Sequence, residues 1–170
     1  MKISSDLKTW KYARLFLDTN ALVNLLLLPD FKENGAENLD NYLKETGIRI
    51  HTCDYCIGEV MGVLKRKWQH KNEKPHLTTD GYLMIINRLN WNIDHNTYVL
   101  AKLSLSNKDN ELHKIVKKYR IDYIDALLLN YTLKSKDHDL FVTGDRRLAK
   151  AANELGALCW NIIDSAVPPE

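Results

Sequence analysis

Short apolar runs alternate with longer amphipathic stretches along the chain, and each short run is followed by polar residues. The run at residues 14–17 (RLFL) stops at Asp18, Thr19 and Asn20, which predicts a buried strand that ends in a polar turn. Short runs of the same kind predict further strands. These predicted strands cover residues 48–52, 140–142 and 158–163.

Between the predicted strands, apolar residues recur at helical spacing. The longest stripe marks one face of an amphipathic helix and consists of Ile57, Val60, Met61, Leu64 and Trp68. Further helices are predicted at residues 21–28, 38–45, 97–105 and 110–119, and around three apolar sets: Leu83, Ile86 and Leu89; Ile124, Leu127, Leu128 and Tyr131; Leu148, Ala151, Ala152 and Leu155. Residues 91–94 are predicted to form a connector or a short strand.

Strands that alternate with helices predict an α/β fold with a central, mostly parallel sheet and helices on both faces. Ligand sites in such sheets lie beyond the carboxyl ends of the strands. Asp18 and Asp145 both follow predicted strands, so we expect both at that edge. The 170 residues fit one domain, which we place at residues 12–165, with tails at 1–11 and 166–170.

The composition is that of an ordinary globular protein, with 45% hydrophobic and 27% charged residues and a net charge of +2. No stretch of eighteen apolar residues exists, so we expect no membrane span, and the first residues lack the features of a signal peptide. Three cysteines are too few for a disulfide framework. We therefore expect a protein of the reducing cytoplasm.

Four acidic residues stand next to apolar segments. Asp18 and Asp145 follow predicted strands, and each could simply cap the helix that comes next. Glu59 lies in the long amphipathic helix, where a solvated glutamate is the ordinary alternative. Asp125 precedes a strongly apolar stretch, where an unpaired acid is costly to bury, and Asp122 lies one turn earlier and could assist it. Several converging carboxylates would suit a hard divalent cation in phosphodiester cleavage.

Four segments of the chain resemble the PIN-domain family, which includes the VapC-type toxins. The segments are RLFLDTNALVNLL, IGEVMGVLKRK, YIDALLLNYTL and LFVTGDRRLAKAANELG, and they occur in the family's order over nearly the whole chain. The resemblance implies that Asn20 and Thr143 support a metal site by hydrogen bonds. It implies that the ligands of one or two Mg²⁺ or Mn²⁺ ions are Asp18, Glu59, Asp125 and Asp145.

The same resemblance implies a metal-dependent endoribonuclease that hydrolyses RNA phosphodiester bonds. Its expected partners are the RNA substrate and, if the chain is the toxin of a toxin–antitoxin pair, an antitoxin protein; a homodimer is left open.

The middle segment around residues 69–110 is longer than in compact VapC-type toxins. The alternatives are a PIN-like module that binds RNA or protein without cutting, a DNA or flap nuclease, and a small phosphatase with an aspartate nucleophile.

Basic residues near the predicted site are candidates for contacts with RNA phosphates. Lys65 and Arg66 accompany Trp68 in the long amphipathic helix, and Arg146 and Arg147 follow the fourth acid. Basic side chains bind the backbone regardless of sequence, and an aromatic ring can stack on an unpaired base. The alternative is a solvated helix face with Trp68 in the core.

Cys53 and Cys56 form a CxxC pair, with His51 nearby. A zinc site would need two more ligands at suitable spacing, and no second CxxC exists in the sequence. A thioredoxin-like redox role would need the pair at the start of a helix. The sequence alone therefore assigns no role to this pair.

Overall fold

A parallel five-stranded sheet forms the centre of the described part of the chain, which in this computed structural model covers residues 12–28, 35–103, 110–134 and 139–169. The strands are β1 (Arg14–Leu17), β2 (Ile50–Cys53), β3 (Tyr98–Ala101), β4 (Asp139–Thr143) and β5 (Cys159–Asn161). The helices within the same ranges are α1 (Thr19–Leu27), α2 (Ala36–Thr46), α3 (Asp54–Gln69), α4 (Thr79–Asp94), α5 (Asn110–Tyr119), α6 (Tyr123–Lys134) and α7 (Arg146–Glu154).

Helices cover both faces of this sheet. Successive side chains of a strand point to opposite faces, so apolar residues of one strand can pack against both helical layers. In β1, Leu15 and Leu17 pack into one apolar cluster with residues of α1, α2, α3 and α4. Phe16 points the other way and packs with residues of α5, α6 and α7. The predicted α/β fold with a parallel sheet and two helical layers is therefore confirmed. None of the helices in the described ranges combines the length and the apolar character needed to cross a bilayer.

The strand order β3-β2-β1-β4-β5 creates a topological switch between β1 and β4. The chain leaves β1 toward β2 and β3 on one side, then returns to the other side of β1 to form β4 and β5. The connections after β1 and β4 therefore diverge and leave a crevice at the carboxyl ends of these strands. Leu17 pairs with Val142, so the residues that follow both strands are neighbours.

The predicted helix at residues 97–105 is wrong over its first part, where the chain forms β3. Tyr98 and Ala101 are buried, and β3 pairs in parallel with β2. A short apolar run fits a buried strand as well as a helix turn, so periodicity alone could not decide between them. Residues 104 and 105 lie outside the described residues.

The prediction for the segment before β3 also needs correction. Residues 91–94 are neither a connector nor a strand but the last turn of α4, which Thr78 caps by accepting a hydrogen bond from the Gly81 amide. The buried positions of this helix are Ile85 and Leu89, whereas Leu83 is 51% exposed. The predicted stripe was thus placed on the wrong side of the helix at Leu83.

A buried ion pair joins β1 to β4 at the amino ends of the two strands. Both carboxylate oxygens of Asp139 accept hydrogen bonds from Arg14, with Nε–Oδ1 and Nη2–Oδ2 distances of 2.9 Å. The side chain of Asp139 is 1% exposed and that of Arg14 is 30% exposed. Arg14 and Asp139 are direct partners in the strand register, so the ion pair holds that register.

We expect Asp139→Ala to lower the free energy of unfolding by about 2–3 kcal/mol, because it removes the buried carboxylate that accepts two hydrogen bonds from Arg14. This loss corresponds to a fall in melting temperature of roughly 5–10 °C. Urea and thermal unfolding would measure both. Glu154→Ala is the matched control, because it removes an exposed ion pair with an N–O distance of 3.9 Å. Equal losses in the two variants would contradict a stabilising role for the buried pair.

Candidate functional site

Asp18 lies at the carboxyl end of β1, where two hydrogen bonds fix its buried carboxyl group. Its Oδ1 accepts a hydrogen bond of 2.7 Å from the Ala21 amide, which caps α1. Its Oδ2 accepts a hydrogen bond of 2.5 Å from the Thr143 hydroxyl. The side chain is 1% exposed, so Asp18 caps a helix and also occupies the crevice between β1 and β4.

Thr143 links Asp18 to the next acid of the site. It ends β4, and its Oγ1 accepts a hydrogen bond of 2.9 Å from the Asp145 amide. Asp145 caps α7, with its Oδ1 accepting from the amides of Arg147 (2.7 Å) and Leu148 (3.2 Å). The turn after β4 thereby positions the Asp145 carboxylate beside that of Asp18.

Glu59 and Asp125 reach the same place from two helices. Glu59 extends from α3, and its Oε2 accepts a hydrogen bond of 2.5 Å from the hydroxyl of Thr19. Asp125 belongs to the first turn of α6. Asp122 is exposed and precedes that helix, where its Oδ1 accepts from the Ile124 amide at 2.9 Å. Asp122 therefore caps α6 and does not line the cavity that the other acids share.

The four acids line one cavity of about 180 Å³ at the carboxyl edge of the sheet. It lies at the switch point between β1 and β4, where the topology leaves room for a ligand. Its walls consist of Asp18, Thr19, Asn20, Val23, Glu59, Val63, Asp125 and Asp145. The sequence prediction that these carboxyl groups converge is thus reflected in the geometry.

Burial and mutual repulsion raise the pKa of two of these acids. Burial raises the pKa of Asp18 to about 7, against the hydrogen bonds from Thr143 and Ala21, and the charges of Asp145 and Glu59 add to the rise. Burial also raises the pKa of Asp125 to about 7, with the charge of Asp18 as the next cause. The cavity thus concentrates negative charge that a cation would compensate.

The donors around the cavity suit a hard divalent cation, because the acids offer only carboxylate oxygens and no thiolate or imidazole lines the walls. Within the described ranges, however, no three acidic, histidine or cysteine side chains form a ready-made metal-binding group. Several carboxylate oxygens instead accept hydrogen bonds from the protein. The residues fit such an ion in chemistry, and binding requires the carboxylates to converge further.

Asn20 packs against the turn that carries Asp145. Its Oδ1 accepts a hydrogen bond of 3.3 Å from Asn24, one turn further along α1. A Cβ atom at position 144 would clash with the Oδ1 atom of Asn20, so any larger residue there would require this amide to shift. Asn20 therefore lines the cavity and also shapes the turn between β4 and α7.

Sequence reasoning missed two residues of this site, Thr19 and Gly144. Thr19 holds Glu59, which lies on another helix, so nothing local in the sequence marks the contact. Gly144 stands next to the predicted Asp145, and its closeness to Asn20 does not follow from the local run Thr-Gly-Asp. Both roles depend on side chains brought together by the tertiary structure.

The predicted RNA-binding residues take different positions. Lys65 and Arg66 are exposed on α3, and the Arg66 guanidinium lies over Gly62 on the same helix face as Glu59. Arg146 turns away from the acidic cavity, because its Nε and Nη2 atoms each lie 2.9 Å from Oδ1 of Asp164. Arg147 is exposed at the start of α7.

Trp68 belongs to the protein interior more than to an RNA-binding surface. Its ring stacks on Tyr82, with ring centroids 4.9 Å apart and planes at 12°. Its indole nitrogen donates a hydrogen bond of 3.3 Å to Thr79. These contacts agree with the alternative interpretation, in which Trp68 packs against the core of the protein.

We expect Thr143→Val to weaken Mn²⁺ binding by about 10–100-fold, because Asp18 and the Asp145 amide both lose their hydroxyl partner. Calorimetric titration with Mn²⁺ would measure the change. Thr143→Ser keeps the hydroxyl and serves as the matched control, with affinity close to that of the wild type. Equal affinities for the valine and serine variants would mean that the hydroxyl does not support the site.

Comparison with known proteins identifies the family. The sequence pattern of the PIN domain matches residues 15–154, which is most of the chain and lies inside the predicted domain. No curated protein sequence gives a significant match. The crystal structure of PAE2754 from Pyrobaculum aerophilum is similar in fold, with a TM-score of 0.55, 16% sequence identity, and coverage of 89% of this chain and 90% of that one. Members of the matched family are generally nucleases and typically use divalent metal ions. This chain belongs to the PIN domain family.

Proposed function

We propose that the protein is a metal-dependent endoribonuclease with its active site in the acidic cavity. The observation that carries the proposal is the meeting of four acids from separate parts of the chain around one cavity. A site that only bound the phosphate backbone of RNA would be lined by basic side chains. Four converging carboxylates would repel those phosphates. Two of these carboxyl groups have a raised pKa, which is the electrostatic cost of a cluster arranged for a cation.

Asp18, Glu59, Asp125 and Asp145 would hold Mg²⁺ or Mn²⁺, and the bound ion would polarise the scissile phosphate and activate a water molecule. Thr143 and the Ala21 amide fix the orientation of the Asp18 carboxyl group. The Thr19 hydroxyl fixes Glu59, which can orient the attacking water or serve as a ligand. These supporting hydrogen bonds keep the carboxylates facing the cavity while substrate enters.

The exposed basic residues of α3 suggest how RNA approaches the cavity. Arg66 lies two turns beyond Glu59 on the same face of that helix, with Val63, which lines the cavity, between them. A phosphate bound at Arg66 would place a neighbouring phosphodiester near the acids. Lys65 lies beside it and adds positive charge for the RNA backbone.

Labelled single-stranded RNA incubated with Mn²⁺ or Mg²⁺ tests the proposal, alongside EDTA, duplex RNA and a DNA flap substrate. We expect cleavage of single-stranded RNA that requires the metal and is absent in EDTA. Cleavage of the flap substrate alone would identify a DNA nuclease instead. Metal binding with no cleavage of any substrate would favour a module that binds RNA or protein without cutting it.

A further inference from the structure

The CxxC pair lies at the junction between β2 and α3, where it has the placement of a redox-active dithiol. Cys53 ends β2 and caps α3, and its sulfur accepts a hydrogen bond of 3.4 Å from the Cys56 amide. The two sulfur atoms are 3.3 Å apart. All three cysteines of the chain are free thiols, and the third, Cys159, lies in β5.

The pair is connected to the acidic cavity through Thr19. The hydroxyl groups of Thr19 and Thr52 are close enough to the Cys56 thiol to lower its pKa by hydrogen bonding, although the contact with Cys53 and burial raise it overall. Thr19 also lines the cavity and donates its hydrogen bond to Glu59. Cys56 and Glu59 are one turn apart on α3. One side chain, Thr19, thus separates the dithiol from the proposed active site.

We propose that Cys53 and Cys56 form a reversible oxidation site, closing an intramolecular disulfide with hydrogen peroxide as the oxidant and a small thiol as the reductant. In the first step the Cys53 sulfur attacks one peroxide oxygen and the O–O bond breaks. This step gives a sulfenic acid, and the departing hydroxide takes up the thiol proton as water. In the second step the Cys56 sulfur attacks the Cys53 sulfur and the S–O bond breaks. The second hydroxide leaves with the Cys56 proton as another water. The two thiols together lose two electrons, and the peroxide gains them.

The local geometry favours this bond. Residues i and i+3 at the start of a helix lie within the Cα separation that a disulfide allows, and the sulfur atoms need to approach by only about 1 Å more. The amino end of α3 stabilises a thiolate at Cys53. The hydrogen bond shared with Cys56 lowers the pKa of Cys53 and so favours its thiolate, which is the reactive form.

Burial determines which product forms. Both sulfur-bearing side chains are fully buried, so a bulky disulfide such as oxidised glutathione has no room to form a stable adduct. Hydrogen peroxide is close to water in size and would reach the pair by local, transient opening of the first turn of α3. A sulfenic acid at Cys53 then meets only one thiol in contact, that of Cys56. The expected product is the intramolecular disulfide.

Disulfide formation also affects the acidic cavity, a consequence that rests on the proposed function. The bond would draw the Cys56 sulfur toward Cys53 and away from Thr19. Thr19 holds Glu59 through its hydroxyl, so a shift of Thr19 changes the orientation of that carboxylate. We expect the oxidised protein to bind Mn²⁺ about tenfold more weakly than the reduced protein.

Intact-mass spectrometry of the full chain tests the modification directly. After hydrogen peroxide treatment, remaining thiols are alkylated in denaturant. We expect one alkyl group, on Cys159, and a mass about 2 Da below that of the reduced chain carrying one alkyl group. Peptide mapping would locate the bond between Cys53 and Cys56, and dithiothreitol would reverse it. Cys159→Ser is the matched control and should form the same bond. Cys53→Ser and Cys56→Ser should not.

Three alkylated thiols, or oxidation of Cys53 only to sulfinic and sulfonic acids, would overturn the proposal. If a serine variant fails to fold, the mapped bond in the wild type still decides the question. Calorimetric titration with Mn²⁺ before and after oxidation tests the effect on the cavity separately from formation of the disulfide itself. Equal Mn²⁺ affinities in the presence of the disulfide would overturn the coupling to the cavity. Absence of RNA cleavage in the reduced protein would count against the proposed function and leave the disulfide result unaffected.

Discussion

Asp18→Asn is expected to reduce metal-dependent cleavage of RNA by about 10³-fold or more, because it removes the most buried carboxylate of the cavity. The amide has nearly the same shape, so it can still accept the hydrogen bond from the Ala21 amide and cap α1. It cannot supply negative charge to a metal ion. The loss should therefore appear in the rate of cleavage and in Mn²⁺ affinity, with the fold retained.

Circular dichroism and single-turnover cleavage of labelled RNA would distinguish these effects. Asp94→Asn is the matched control, because Asp94 is exposed in the last turn of α4, outside the acidic cavity. We expect that variant to cleave at the wild-type rate. A folded Asp18→Asn protein that still cleaves RNA would refute the placement of the active site in this cavity.

The metal-free protein is expected to become less stable as pH rises from about 4 to about 7. The pKa of Asp18 is raised from 3.8 to about 7 by burial, so the folded state binds more protons than the unfolded state within this window. The stability contributed by the neutral carboxyl group is full at low pH and is lost as the pH rises. The loss for Asp18 is on the order of 4 kcal/mol at most. Asp125 shifts in the same direction.

Melting temperatures of the wild type and of Asp18→Asn in EDTA, measured between pH 5 and pH 8, test this expectation. The advantage of the asparagine variant should grow with pH, because it has no charge to bury. Saturating Mg²⁺ or Mn²⁺ at pH 8 should stabilise the wild type and remove that advantage. Parallel melting curves across the pH range would show that the Asp18 carboxyl group titrates as it does in the unfolded chain.

The acids of the candidate site could be predicted from the sequence because each stands next to a run of apolar residues. Asp18 follows a run of apolar residues, and the structure confirms that this run is a buried central strand. Asp145 follows a second such run, and the parallel pairing of β1 with β4 brings both acids to one edge. The α/β class could be predicted for the same reason, because strand and helix periods alternate along the chain.

The features that sequence reasoning missed depend on contacts between distant segments. Thr19 holds Glu59 across two helices, a pairing that no local pattern encodes. β3 was mistaken for a helix because Tyr98–Ala101 is too short and too apolar to show a period, and its identity as a strand depends on pairing with β2. Leu83 was predicted on the buried face because α4 carries apolar residues on more than one side. Only the packing in the folded protein selects Ile85 and Leu89 as the buried positions.

The pairing of β1 with β4 would make metal binding in the acidic cavity, as proposed above, a measure of correct folding. The Arg14–Asp139 ion pair crosses these strands at one end, and the hydrogen bond between Thr143 and Asp18 crosses them at the other. A slip of one residue between the strands would turn every side chain to the opposite sheet face and break both contacts together. Misaligned molecules would therefore lose the proposed metal site as a whole. The titrated fraction of metal-binding protein in a refolded sample would count the correctly aligned molecules.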